Sequence, residues 1–511
     1  MPEWNVTRRG VIAASTIGLA AAAASPAAPA AAAKPPASGG SDDDLAWMPA
    51  WRLKEMFAAR KLSPLEYATF LLARVERNAH LGAFITVFPD HLLDAAKAAT
   101  DKPGEGLLAG LPVSVKDTVF TRGQRTTLGS ALFRDHVPDR DAVASEQVKK
   151  HGGIIFAKSN TPEFALNRRS MNMVSREAVN PWDTTRTSGG SSGGAGVATA
   201  AGLGPLAVGT DGGGSIRLPS AFNGVFGLCP SRGRVPNGAG YFSAPNSIIG
   251  PMARDVRDAA LLLQAIACVD ERDPFTMRTP PPDYLAGLDK GVKGLRMAWS
   301  PDLGRIFPDE PEIVPICHEA ALAFRSLGAI YTEPSIRIED PHDPMEPDPE
   351  YSRAQVQARV LAVKPDYIDP ITWSMKLPRE DYQKLSIYIR DRSDRPNELD
   401  YAMSILPEVR YRKRDRLDEL FQRIDLLLCP TIARRAFICG RENATPWQYT
   451  AFCHIVNVSG YCAASVPAGF YKGMPVGLQI IGRPGDEALV LRAARAYERE
   501  RPWAQDRPPV A

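Results

Sequence analysis

The stretch Gly189–Ser215, GGSSGGAGVATAAGLGPLAVGTDGGGS, constrains this chain more than any other. It sets Ser191 and Ser192 between two glycine pairs, and Ser215 directly after Gly212, Gly213 and Gly214. A serine behind a glycine run can sit where main chain approaches a substrate closely, with several backbone N–H groups aimed at one oxygen. That is the layout of a nucleophile beside an oxyanion hole. A flexible linker shares the glycine and serine content, but linkers are poor in apolar residues, and this tract runs on into IRLPSAFNGVFGL. A phosphate cradle requires GxxxxGK before Ser or Thr, and the window holds no lysine. Gly189 to Gly193 also matches GxSxG, the nucleophile elbow. That motif needs a strand directly before it, and the lead-in NPWDTTRT reads as turn formers, so the match is taken as accidental.

Activating a serine requires a base, and none of the seven histidines stands beside these serines. Upstream, Leu111–Asp117 reads LPVSVKD, an apolar and polar alternation that ends on Lys116. A lysine at the end of a half-buried strand loses solvation, which disfavours its charged form and lets it accept a proton near neutral pH. Serine with lysine is a known variant of the serine-nucleophile theme. A lysine in a strand is also commonly no more than a solvated strand end.

Four segments carry a resemblance to the amidase signature family: GLPVSVKD (Gly110–Asp117), NPWDTTRTSGGSSGG (Asn180–Gly194), GTDGGGSIRLPSAFNGVFGLCPSRGRV (Gly209–Val235) and PVGLQIIG (Pro475–Gly482). The similarity runs from about Trp47 to Tyr497. It implies an α/β fold with a large mixed sheet covered by helices on both faces. By motif position it implies Lys116 as the base, Ser191 as a bridging serine in a cis peptide, and Ser215 as the nucleophile. The oxyanion donors then fall on the backbone of Gly212, Gly213, Gly214 and Ser215, with Ser192, Asp211 and Arg217 in support. No metal or other cofactor is implied. Two departures, Ser188 where the family often has proline and Thr118 where a residue such as Asn is usual, leave the three catalytic positions untouched.

The implied reaction is hydrolysis of a linear amide through a Ser215 acyl-enzyme, with a small-molecule amide as partner. The same scaffold could serve as the glutaminase subunit of a tRNA amidotransferase, as an esterase, or as an inactive binding protein. A net charge of +3 over 511 residues, with no basic stripe, gives no case for nucleic acid. A homodimer is left open.

The N-terminus reads as an address. Arg8-Arg9 precedes an alanine-rich apolar run, Val11–Ala24, and Ala31–Ala33 offers a cleavage site, the pattern of a twin-arginine export signal over residues 1–33. The run is short of the ~20 apolar residues that span a bilayer, so no membrane insertion is expected after signal removal, and a periplasmic location is. Residues 34–46 read as a disordered leader and 47–505 as one domain. Within it, 339–408 is proline-rich and acidic, then aromatic and charged, and is expected to cap the substrate site. The seven cysteines show no CxxC and no regular spacing, so neither a zinc site nor a disulfide framework is indicated.

The coarse element reading supports an α/β layered fold. A capping box at Ser63-Pro64-Leu65-Glu66 opens a helix to about Asn78. Further helices are expected at 141–151, 255–267, 312–327, 411–423 and 486–498. Strands are expected at 154–157, 295–299, 329–332, 425–429 and 475–481.

Overall fold

The alternation Val113, Ser114, Val115, Lys116 does form a strand, and its two faces have different fates. The valines enter the main hydrophobic core, while Ser114 turns to the other face and donates to the Leu206 carbonyl. The structure, a computed structural model, describes residues 45–509 apart from 103, 239–246, 305, 307, 339–359, 361–362, 365–366, 368–376, 387–388, 391–398, 433 and 441–449. The expected export signal at 1–33 and most of the expected leader lie outside the described residues. So does most of the region expected to cap the site. Ala46, expected in the leader, is buried, so the folded part starts by then.

In chain order the strands are β1 (Phe84–Val87), β2 (Pro112–Lys116), β3 (Ile154–Ser159), β4 (Val179–Asn180), β5 (Asp183–Thr187), β6 (Leu206–Asp211), β7 (Phe226–Cys229) and β8 (Ile248–Ala253). They continue as β9 (Arg296–Trp299), β10 (Ile330–Thr332), β11 (Leu426–Pro430), β12 (Cys462–Tyr471) and β13 (Met474–Gly482). Eleven form one sheet in the order β1-β3-β2-β6-β8-β7-β12-β13-β11-β9-β10, and β4 and β5 form a separate pair. The sheet is mixed: β2 runs parallel to β3 and β6, while β6–β8, β7–β12 and β12–β13 are antiparallel.

Successive strand residues face opposite sides of a sheet. Leu426 and Leu428 belong to one hydrophobic cluster and Leu427 and Cys429 to another; Met297 and Trp299 likewise part from Ala298. Both faces are therefore covered, as the unbroken apolar run LLLC requires.

In chain order the helices are α1 (Ala50–Ala58), α2 (Pro64–Arg77), α3 (Pro89–Asp101), α4 (Val143–Lys150), α5 (Gly193–Ala200), α6 (Arg217–Asn223) and α7 (Val256–Ile266). After them come α8 (Ile313–Ser326), α9 (Arg379–Lys384), α10 (Leu399–Phe421), α11 (Ala451–Ser459) and α12 (Glu487–Glu500). The capping box is present: Ser63 Oγ accepts from Glu66 N, and the Glu66 carboxylate accepts from Ser63 N at 2.8 Å. Helix α10 starts twelve residues before the expected 411, its backbone helical through Pro407. A proline removes one helical donor and clashes with the preceding turn, which is why the sequence pattern is read as starting after it. No helix among the described residues is long and apolar enough to cross a membrane.

Candidate active site

Three loop ends meet at the C-terminal edge of β2 and β6. Lys116 is the last residue of β2 and is fully buried. Its Nζ donates to Ser191 Oγ at 2.6 Å, Thr210 Oγ1 at 2.8 Å and Ser192 Oγ at 3.1 Å. These three partners are neutral hydroxyls, each able to donate as well as accept. A hydroxyl in such a place can hand a proton to the lysine or take one from it.

Ser191 follows a cis Gly190–Ser191 peptide bond, as the resemblance implied. The loop is pinned from outside by Ser170, whose hydroxyl donates to the Gly189 carbonyl and accepts from Gly193 N at 3.0 Å. Ser192 N donates to the Ser215 carbonyl at 3.1 Å, and Ser192 Oγ donates to the Thr210 carbonyl and accepts from Thr210 N. One residue thus joins the serine loop, β6 and the nucleophile loop.

The lead-in to Ser191 corrects the sequence reading. Asp183–Thr187 is a strand, β5, so a strand, Ser191 and helix α5 do follow one another. Its threonines are β-branched and suit a small, half-exposed antiparallel pair, a signal outweighed by the Asn-Pro and Asp turn formers around it. The Ser191 hydroxyl nevertheless meets a lysine, where an elbow serine would meet a histidine.

Ser215 is 8% exposed, against 0% for Lys116 and 1% for Ser191, so it is the member of the group that solvent reaches. Its loop is shaped by Asp211. That carboxylate accepts from Gly214 N at 2.6 Å and Ile216 N at 3.0 Å, and pairs with Arg217 at 2.9 Å with both side chains fully buried. The Gly214 N–H is therefore occupied and drops out of the expected oxyanion set. Gly212, Gly213 and Ser215 N–H are the candidate donors that stay. Gly214 has φ +121°, and a Cβ there would lie 2.8 Å from Cys453 Cβ, so only glycine fits. Burial pushes the Asp211 carboxyl up, but the Arg217 charge and the N–H donors outweigh it and hold it at about 2. Asp211 in turn keeps the guanidinium charged against the cost of burial. Arg217 Nη1 reaches Gln479 Oε1 at 2.7 Å and Nη2 reaches Asn457 Oδ1 at 2.5 Å, while Asn457 Nδ2 donates back to the Asp211 carbonyl at 2.9 Å. The pair is thus a structural brace behind the nucleophile's loop.

Thr210, Ser170, Asn457 and Gln479 were absent from the sequence reading. Thr210 lies inside GTDGGGS and Gln479 inside PVGLQIIG, but both read as ordinary strand residues, and Ser170 and Asn457 come from segments with no spacing relation to the serines. The seven cysteines are free thiols, five of them buried.

The Amidase family profile matches residues 66–491. A glutamyl-tRNA(Gln) amidotransferase subunit from Moorella thermoacetica is 34% identical over 489 residues, spanning 91% of this chain and 99% of that protein. Among solved structures, a bacterial aryl acylamidase of the amidase signature enzymes matches with a TM-score of 0.79 at 27% identity, over 90% of this chain and 97% of that one. A 6-aminohexanoate cyclic dimer hydrolase matches with a TM-score of 0.75 at 26% identity, over 91% of this chain and 99% of that one.

Proposed function

Because this chain belongs to the amidase signature family, we propose that it hydrolyses a carboxylic amide C–N bond through a Ser215 acyl-enzyme. The carrying observation is the 2.6 Å bond from buried Lys116 to Ser191, set beside a more exposed Ser215 that follows three glycines. Neutral Lys116 takes a proton through Ser191 as Ser215 Oγ attacks the amide carbon. The N–H groups of Gly212, Gly213 and Ser215 stabilise the oxyanion. The proton returns through Ser191 to the leaving amine, the C–N bond breaks, and water resolves the ester by the same route. Ser215→Ala should abolish covalent capture of a fluorophosphonate while leaving the fold intact. Capture that persists on Ser191 or Ser192 of that variant would favour the elbow reading instead.

Two tasks fit this chemistry. The aryl acylamidase and cyclic dimer hydrolase neighbours, together with the Arg8-Arg9 leader, support a free-standing exported enzyme acting on a small amide. The amidotransferase relatives favour the other, release of ammonia from glutamine within a multi-subunit amidotransferase. Assay of the isolated chain on anilides and on glutamine separates them. Turnover of anilides by the chain alone supports the first task. Glutamine turnover that appears only with partner subunits supports the second.

A further inference from the structure

A second lysine lies next to the first and is absent from this mechanism. In the β2–β3 register Val115 stands beside Lys158 and Lys116 beside Ser159, so the two lysines leave opposite faces of the sheet. Both are fully buried. Lys158 Nζ donates to the Val119 carbonyl and to Thr121 Oγ1 at 2.9 Å, gripping the turn that follows Lys116. Asp117, next in the chain after Lys116, grips the following loop: its Oδ2 accepts from Thr127 N at 3.0 Å, Thr127 Oγ1 at 2.5 Å and Gly129 N at 3.2 Å. Its Oδ1 is buried without a partner.

We propose that Asp117 and Lys158 are positioning residues that fix the end of β2 and, as opposite charges behind Lys116, set how readily that lysine takes up a proton. The inference rests on Lys116 being the base. Burial pushes Lys158 down to about 7 and Asp117 up, and each charge opposes the shift of the other, so the two stabilise one another's ionised forms. The other charges that Lys158 senses, Lys149 and Asp141, are paired at 2.8 Å and act on it in opposite directions. Arg125 also senses Asp117 but stands half-buried and senses Asp135 and Arg134 as well, in opposite directions. On the Lys116 face, Asp211 and Arg217 at the end of β6 are likewise a closed pair.

A negative neighbour favours the ammonium form of Lys116 and a positive one disfavours it. Removing Asp117's charge should therefore move the acid limb of Ser215 reactivity to lower pH, and removing Lys158's charge should move it to higher pH. The measurement is the rate of fluorophosphonate labelling at Ser215 against pH, in the full chain, for wild type, Asp117→Asn and Lys158→Gln. Asn fits because its NH₂ can take the place of the unpartnered Oδ1. Gln keeps a donor for the Val119 carbonyl. Limbs displaced in opposite directions by about half to one pH unit are expected. Limbs that stay put, or move the same way with only a slower rate, would overturn the inference and leave a structural role. If Lys158→Gln does not fold, Asp117→Asn decides alone: a limb that stays or rises refutes the proposal. Absence of Ser215 labelling in wild type would sink the acyl-enzyme reading as well.

Discussion

Two buried basic side chains flank the nucleophile's loop, and their partners divide their roles. Lys116 meets hydroxyls, which can exchange a proton with it; Arg217 meets a carboxylate, which holds it charged. Breaking a buried ion pair by removing one member costs about 3–5 kcal/mol, because the other charge is stranded. Asp211→Asn should accordingly lower the thermal midpoint markedly at pH 7. The folded carboxyl at about 2 lies below its ordinary 3.8, so its contribution of about 2 kcal/mol is complete above pH 4 and is lost as the pH falls towards 2. The gap between wild type and Asp211→Asn should narrow over that window, and a gap constant from pH 7 to pH 2 would contradict the assignment. At this scale the sequence showed Lys116, Ser191, Ser192, Asp211, Ser215 and Arg217, because all stand in or beside ordered motifs. It hid Asn457, which stands in no such motif, and Gln479, which stands in PVGLQIIG but reads there as an ordinary strand residue; both reach the brace across more than 200 residues of chain.

Elements with a local signature were legible to within one or two residues. Ser63 with Glu66 marked the start of α2, and Gly152-Gly153 the stop after α4. Strand β5 and the start of α10 were not, since a polar strand looks like a turn and a proline looks like a break. Helix α5 shows how tightly one element can be specified. A Cβ on Gly194 would lie 2.2 Å from Asn160 N and 2.4 Å from the Ala83 carbonyl, both backbone atoms that cannot step aside. Gly194→Ala should therefore destabilise the protein by at least about 1–3 kcal/mol and slow labelling of Ser215. Gly104→Ala, where the nearest atom would be a side-chain carbon at 3.6 Å, should do neither. Equal thermal midpoints for the two variants would refute the close approach.

For the whole molecule, the repeated helix–strand alternation announced a mixed sheet with both faces covered, and that is the architecture. The strand order was beyond reach of the sequence. β7 pairs with β12 across more than 200 residues, a choice made by burial of whole faces and not by any local pattern. The proposed export leader belongs to this scale too, because export would act on the entire chain. Replacing Arg8 and Arg9 with lysine should hold the precursor in the cytoplasm; normal amounts of processed protein outside the inner membrane would refute the twin-arginine assignment. The fold as a whole brings the ends of β2 and β6 and the loop before α5 to one point, and the central claim is that a lysine, not a histidine, accepts the proton there. The most direct measurement is kcat/KM on one amide for Lys116→Ala against His454→Ala and His151→Ala. Loss of about two to four orders of magnitude for Lys116→Ala, with the histidine variants near wild type, is the result expected. A histidine variant losing as much as Lys116→Ala, or more, would contradict the relay.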